Sequence, residues 1–97
     1  MRFEWDARKA AVNHIKHDVS FEEAATVFLD SDALDGPDVT HSDREPRFLR
    51  LGRAVTGRVL MVAYTHRRRD DDESIRIISA RRAGRDERAA YAAAPEH

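Results

Sequence analysis

Apolar and polar positions alternate at Phe3-Glu4-Trp5, which predicts a short first strand. Asp6 follows as an N-cap. Ala7, Ala10, Ala11 and Ile15 then recur at helical spacing, predicting a first helix with those residues on one face. Asp18 suits the left-handed conformation that ends a helix. Ser20-Phe21-Glu22-Glu23 has the pattern of a capping box with Val19 as staple residue, opening a second helix through Ala24, Val27 and Phe28. From Asp30 to Pro46 the chain is polar and reads as irregular. Three strand-like runs follow. Arg47 to Arg53 alternates, with Arg47, Leu49, Leu51 and Arg53 on one face and Phe48 and Arg50 on the other. Val59 to Thr65 is the most apolar run and predicts a central strand, joined to the preceding one by a hairpin turn at Thr56-Gly57. His66 to Glu73 (HRRRDDDE) reads as a solvated loop, Ser74 to Ala80 as the last strand, and Arg85 to Ala94 as a closing helix after Gly84.

The resulting order is β-α-α-β-β-β-α: an α+β domain with helices on one face of a twisted, mainly antiparallel sheet and the other face partly open. Ile75 and Ile77 belong to the covered face, because arginine is poorly tolerated under a helix, and Arg76 then points to the open face. Strict alternation would align Arg81 with Ile75, although a bend is expected there.

The 97 residues suffice for one domain, residues 1–97, with 92–97 expected to fray. The absence of cysteine excludes disulfides, thiolate metal sites and thiol nucleophiles. No apolar run is long enough to span a membrane and the N-terminus lacks a signal-peptide pattern, so a cytoplasmic location is expected. The net charge of −1 argues against a generic nucleic-acid binder, but its distribution is uneven. Residues 1–52 carry seven Lys/Arg against eleven Asp/Glu, whereas residues 53–97 carry ten Arg against seven acids. A local anion site on a near-neutral protein has this signature. The stretch SIRIISARRAGRDERAAY, a rigid strand ending in an arginine cluster, points to RNA or another polyanion, since guanidinium forks suit phosphate oxygens.

The segments FEWDARKAAVNHIKHDVSFEEAATVF, HSDRE-RFLRLGR, VLMVAYT and IRIISARRAGRDERAAY resemble, in this order and over roughly residues 2 to 91, the BrnT family of type II toxins. Asp18 stands where that family usually has glycine, and Pro46 interrupts the polar run before Arg47 and restrains Glu45. The resemblance implies a RelE-like fold and a metal-independent endoribonuclease that inhibits translation and arrests growth. It implies as partner a BrnA-like antitoxin whose ribbon-helix-helix part binds operator DNA. Cleavage of RNA, free or on the ribosome, would use the 2′-hydroxyl as nucleophile, and that chemistry needs a base, an acid and cations for the phosphorane charge.

Candidates for these roles are few. His41 and Glu45, in the loop before the Arg47 strand, are candidate bases. Arg47, Arg76 and Arg81 are candidate phosphate clamps, with Arg53, Arg82 and Arg88 as further substrate contacts. Tyr91 is a candidate acid or base-stacking ring, and Tyr64 could stack as well. Each has a plainer reading: a solvated histidine, ion-paired arginines (Arg76 with Glu4, for example), a tyrosine anchoring the last helix. Asp38, His41, Asp43 and Glu45 offer hard ligands, but without a second histidine at ligand spacing they do not make a metal site, and no cofactor is expected. The alternative function is a non-catalytic, protein-binding module of a repressor complex.

Overall fold

The computed structural model describes residues 1–41 and 44–94. Strand β1 (Arg2–Glu4) leads into helices α1 (Ala7–His17) and α2 (Phe21–Thr26), the latter followed by a 3₁₀ turn at Val27–Leu29. Strand β2 (Leu34–Pro37) and a second 3₁₀ turn (Val39–His41) precede β3 (Phe48–Arg53), β4 (Val59–Arg69), β5 (Asp72–Arg82) and helix α3 (Arg85–Ala93). The five strands form one sheet in the order β1-β5-β4-β3-β2, with β1 parallel to β5 and all other neighbours antiparallel. No helix among the described residues is long and apolar enough to cross a membrane.

The α+β class holds, but the element order gains a strand. The segment Leu34–Pro37 pairs with β3 instead of forming an irregular loop. Its acids, Gly36 and Pro37 hide the alternation that marks a strand, and proline is tolerated because β2 is an edge. The HRRRDDDE segment is a second correction. It is the tip of a long β4–β5 hairpin, turning at Asp70, whose φ is 54°. The opposed charges sit across the ladder, as in the 2.7 Å pair of Arg68 with Glu73.

Local signals at the caps are sound. The Asp6 carboxylate accepts from the Arg8 and Lys9 N–H groups, and Asp18 ends α1 at φ 56°. Ser20 Oγ accepts from Glu23 N–H at 3.0 Å, but the other half of the capping box goes elsewhere: Arg58 and Thr56 take the Glu23 carboxylate. The buried face of α1 is also not the expected one. Ile15 is 87% exposed, Ala7 and Ala11 are exposed, and the helix turns Ala10, Asn13 and His17 inward.

Val19, Phe21, Ala24 and Val27 from the helical layer pack on Leu60, Val62, Tyr64, Ile75 and Ile77 of the sheet. Burying a side chain such as Phe21 or Ile77 stabilises by about 1.5–3 kcal/mol. Phe3, Trp5, Phe28 and Phe48 complete the layer through tilted and edge-on ring contacts at 4.9–5.9 Å between centroids. Gly52 on β3 lets the chain pass close beneath the 3₁₀ turn, since a Cβ there would lie 2.8 Å from Val27 Cγ1 and 2.9 Å from Ala33 Cβ.

Candidate active site

Side chains alternate across a strand, so every second residue opposite the core lies on the other face of the sheet. On β4, Tyr64 belongs to the core, which places Met61, Ala63, Thr65 and Arg67 on the opposite face. Their ladder partners include Leu49 and Leu51 on β3 and Ser74 and Arg76 on β5. One irregularity changes the frame on β5. Tyr64 pairs with Ile77 but Ala63 pairs with Ser79, so Ile78 is an extra residue. Beyond this bulge Ala80 returns to the core, and Arg81 joins Arg76 on the open face.

The bulge lies where β5 has lost its neighbour, because β1 ends opposite Arg76. Helix α1 covers the gap. The Asn13 amide donates to the carbonyls of Ala80 (2.9 Å) and Val19 (3.0 Å) and accepts from Ala80 N–H (3.1 Å).

A concavity of about 420 Å³ occupies the open face, with a floor of Leu49, Met61, Ala63 and Ile78 and a polar rim of Asp38, His41, Arg47, Arg81 and Glu87. The 3₁₀ turn holds His41 over Asp38: Nδ1 lies 3.2 and 3.3 Å from the two carboxylate oxygens. The Asp38 side chain is 11% exposed and that of His41 62%, so a buried carboxylate orients an imidazole whose other nitrogen is free to face solvent. With Nδ1–H donating to the Asp38 carboxylate, Nε2 is the basic atom; this tautomer is assigned from the hydrogen-bond pattern. Asp38 N–H in turn donates to Arg47 O at 2.8 Å.

Arg81 is held by both oxygens of Glu87, at 2.7 and 2.8 Å, and Gly84 N–H donates to the same carboxylate at 2.7 Å. Glu87 therefore caps α3 and fixes Arg81 at once. The hydrogen bond from Arg81 pulls its carboxyl down to about 2, against the opposing effect of burial. Glu45 accepts from Arg67 Nη2 at 3.0 Å, a partner 22 residues away on the long hairpin. Arg76 makes no hydrogen bond or ion pair among the described residues, so the plainer alternative of a pair with Glu4 is not met even though the two are ladder neighbours.

His41, Arg47 and Arg81 thus share one concavity, Glu45 lies with His41 and Arg47 in an adjoining recess, and Arg76 lies further along the same face. Tyr91, Arg53, Arg82 and Arg88 are elsewhere, around a separate hollow of about 370 Å³. Tyr91 donates to Asp30 at 2.6 Å beneath the Arg53 guanidinium, and that bond raises its pKa. Burial pushes the Asp30 carboxyl up, but hydrogen bonds from Arg53 N–H, Tyr91 and Asp32 N–H outweigh it and hold it below the usual range. Tyr64 corrects the expectation of a stacking ring: it is 5% exposed on the core face, bonded to Asp35 at 2.7 Å, with its pKa raised by burial and then by that carboxylate. Asp43 and the end of the expected frayed tail, residues 95–97, lie outside the described residues. Among those described, no three of His, Asp and Glu converge as metal ligands would.

Sequence reasoning missed three participants. Asp38 appeared only as a candidate metal ligand, although its i, i+3 spacing to His41 was a usable signal. Arg67 was hidden in the charged run, and Glu87 reaches Arg81 across a chain reversal.

The fold and this face define a small α+β domain whose open sheet face carries a cluster of arginines. The 1.1 Å crystal structure of the Brucella abortus ribonuclease toxin BrnT superposes with a TM-score of 0.63 over 88% of this chain and 99% of the other, at 22% identity. Residues 5–87 match the model of a family described as the ribonuclease toxin, BrnT, of type II toxin–antitoxin systems. The chain belongs to the BrnT family. No functionally curated protein matches it.

Proposed function

We propose that this BrnT-family toxin is an endoribonuclease that cuts RNA without a metal ion, on the open face of a RelE-like sheet. His41 Nε2 takes the proton of a ribose 2′-hydroxyl while Asp38 stabilises the imidazolium. The 2′-oxygen then attacks the adjacent phosphorus and the bond to the 5′-oxygen breaks. The products are a 2′,3′-cyclic phosphate and a 5′-hydroxyl that takes its proton from water. Arg76, Arg47 and Arg81 stabilise the charge that builds on the phosphoryl oxygens, and Glu45 positions Arg67. In the cytoplasm the consequence is loss of translation and growth, on or off the ribosome. A BrnA-like ribbon-helix-helix antitoxin covers the basic face and carries the complex to operator DNA. The observation that supports the reading is the buried Asp38 carboxylate orienting His41 in the concavity that also holds Arg47 and Arg81.

The test is RNA integrity in a bacterial host after pulsed expression of the wild-type chain and of Arg76→Ala. New RNA 5′ ends with the wild type alone support the reading. Intact RNA in the presence of soluble wild-type protein overturns it and makes the arginines contacts to a protein partner, as in the non-catalytic module.

A further inference from the structure

Three side-chain atoms among the described residues are buried without a hydrogen-bond partner: Glu4 Oε1, Thr65 Oγ1 and Arg67 Nε. Buried polar groups are ordinarily satisfied, and leaving one unpaired is costly. All three lie on the open face and are neighbours there. Glu4 on β1 pairs with Arg76 on β5, and Arg76 pairs with Thr65 on β4, so the three cross the sheet in one row. Arg67 stands two residues further along β4 on the same side. Thr65 is fully buried, yet its hydroxyl is unused, beside a guanidinium that makes no hydrogen bond or ion pair among the described residues and is only attracted at longer range by the Asp6 carboxylate.

We propose that Thr65 Oγ1, Arg67 Nε and the Arg76 guanidinium form a phosphoryl-binding subsite in which Glu4 Oε1 receives a hydrogen bond from a hydroxyl of the ligand. The first three atoms are donors suited to anionic phosphoryl oxygens. The fourth is an acceptor, and a carboxylate repels an anion unless the ligand brings a proton to share. The ligand class is therefore a phosphoryl group with an adjacent O–H: a phosphodiester beside a ribose 2′-hydroxyl, or a free phosphate that keeps a proton. Arg76, the ladder partner of Thr65, and Arg67, two residues along β4, carry long side chains that can part around such a group. Assignment to RNA rests on the ribonuclease reading; the subsite itself does not.

The test titrates the wild type, Thr65→Val and Glu4→Gln with inorganic phosphate and with sulfate at about pH 6, where phosphate retains a proton and sulfate does not. Amide shifts of Thr65 and Arg76 report binding, and thermal unfolding without phosphate reports the fold. In the wild type phosphate is expected to bind more tightly than sulfate. Thr65→Val is expected to lose at least about fivefold in phosphate affinity with an unchanged or higher Tm, because the isostere removes an unpaired hydroxyl. Glu4→Gln, whose amide can donate, is expected to close the gap between the two anions. Unchanged phosphate affinity in Thr65→Val overturns the subsite, as does a lowered Tm in that variant, which would show a hydroxyl satisfied for structure. Single-stranded RNA displacing phosphate better than DNA of the same sequence assigns the site to RNA, and equal displacement assigns it to free phosphate. Phosphate binding that depends on Thr65 while cellular RNA stays intact overturns the ribonuclease reading alone; cut RNA with an unaffected Thr65→Val overturns the subsite alone.

Discussion

The side chain of Asn13 holds both backbone groups of Ala80, accepting from its N–H and donating to its carbonyl, as a neighbouring strand would. β1 is too short to reach this far along β5, and the amide of a helix residue replaces the missing ladder step. Asn13→Ala leaves the N–H and carbonyl of Ala80 and the carbonyl of Val19 without this partner. A loss of about 2–4 kcal/mol is expected, from one to three kcal/mol for each buried group left unpaired, less whatever water recovers. Urea unfolding measures it. Because the bulge sits next to Ala80, RNA cleavage should fall as well, even where the variant is folded.

Tyr91 and Arg76 separate anchoring from chemistry. Tyr91→Phe removes the hydroxyl bonded to Asp30 and should cost about 1–2 kcal/mol of stability, at the charged-acceptor end of the hydrogen-bond range. It should leave cleavage near the wild-type rate, since the ring lies at the other hollow. Arg76→Ala should do the reverse: no measurable loss of stability and loss of new RNA 5′ ends. A Tyr91→Phe protein that folds normally but no longer cuts RNA would instead make the hydroxyl the general acid.

Acid should loosen the Arg81–Glu87 clamp in a defined window. The Glu87 carboxyl is lowered from 4.5 to about 2, so its contribution is complete above the unfolded value and is lost as pH falls toward the folded one. Thermal unfolding of Glu87→Gln compared with the wild type should show a deficit at pH 6 that shrinks between about pH 4.5 and 2. The deficit will be modest, because the pair is partly exposed. A deficit independent of pH would assign the role of Glu87 to packing.

Gly52→Ala tests how closely β3 passes under the Val27–Leu29 turn. The added methyl meets Val27 and Ala33 inside contact distance, and overpacking of this kind costs about 1–3 kcal/mol. Chemical unfolding reads it directly, and a neutral result would mean that the turn can lift away from the sheet.

What could be read from the chain followed how local each determinant is. Asp6, Asp18 and Ser20 act within a few residues of themselves, and the caps were legible. The arginine on the open face at position 76 was legible because Ile75 and Ile77 flank it with strict period two. The α1 face was not, because Asn13 is turned inward by a partner 67 residues away, while the apolar Ile15 is left in solvent. The β2 strand was obscured because an edge needs apolar residues on one side only and can carry Gly36 and Pro37. In the site, His41 was legible as a residue type in a polar loop. Its pairing with Asp38 and the recruitment of Arg67 by Glu45 depend on the 3₁₀ turn and the long hairpin. Neither leaves a hydrophobic pattern.

The extra residue at Ile78 turns a count into a determinant. Arg76 and Arg81 are five positions apart, an odd interval that in an unbroken strand would send them to opposite sides of the sheet. The bulge absorbs the odd residue, so both face the open side; flattening it with every residue kept would drive Arg81 toward the core and bring Ala80 out, with no change in composition. On this strand the interval between the two arginines has meaning only together with the bulge: loss of Ile78 would leave an even interval and a regular strand with both guanidinium groups still on the open face, whereas an even interval with the bulge kept would part them.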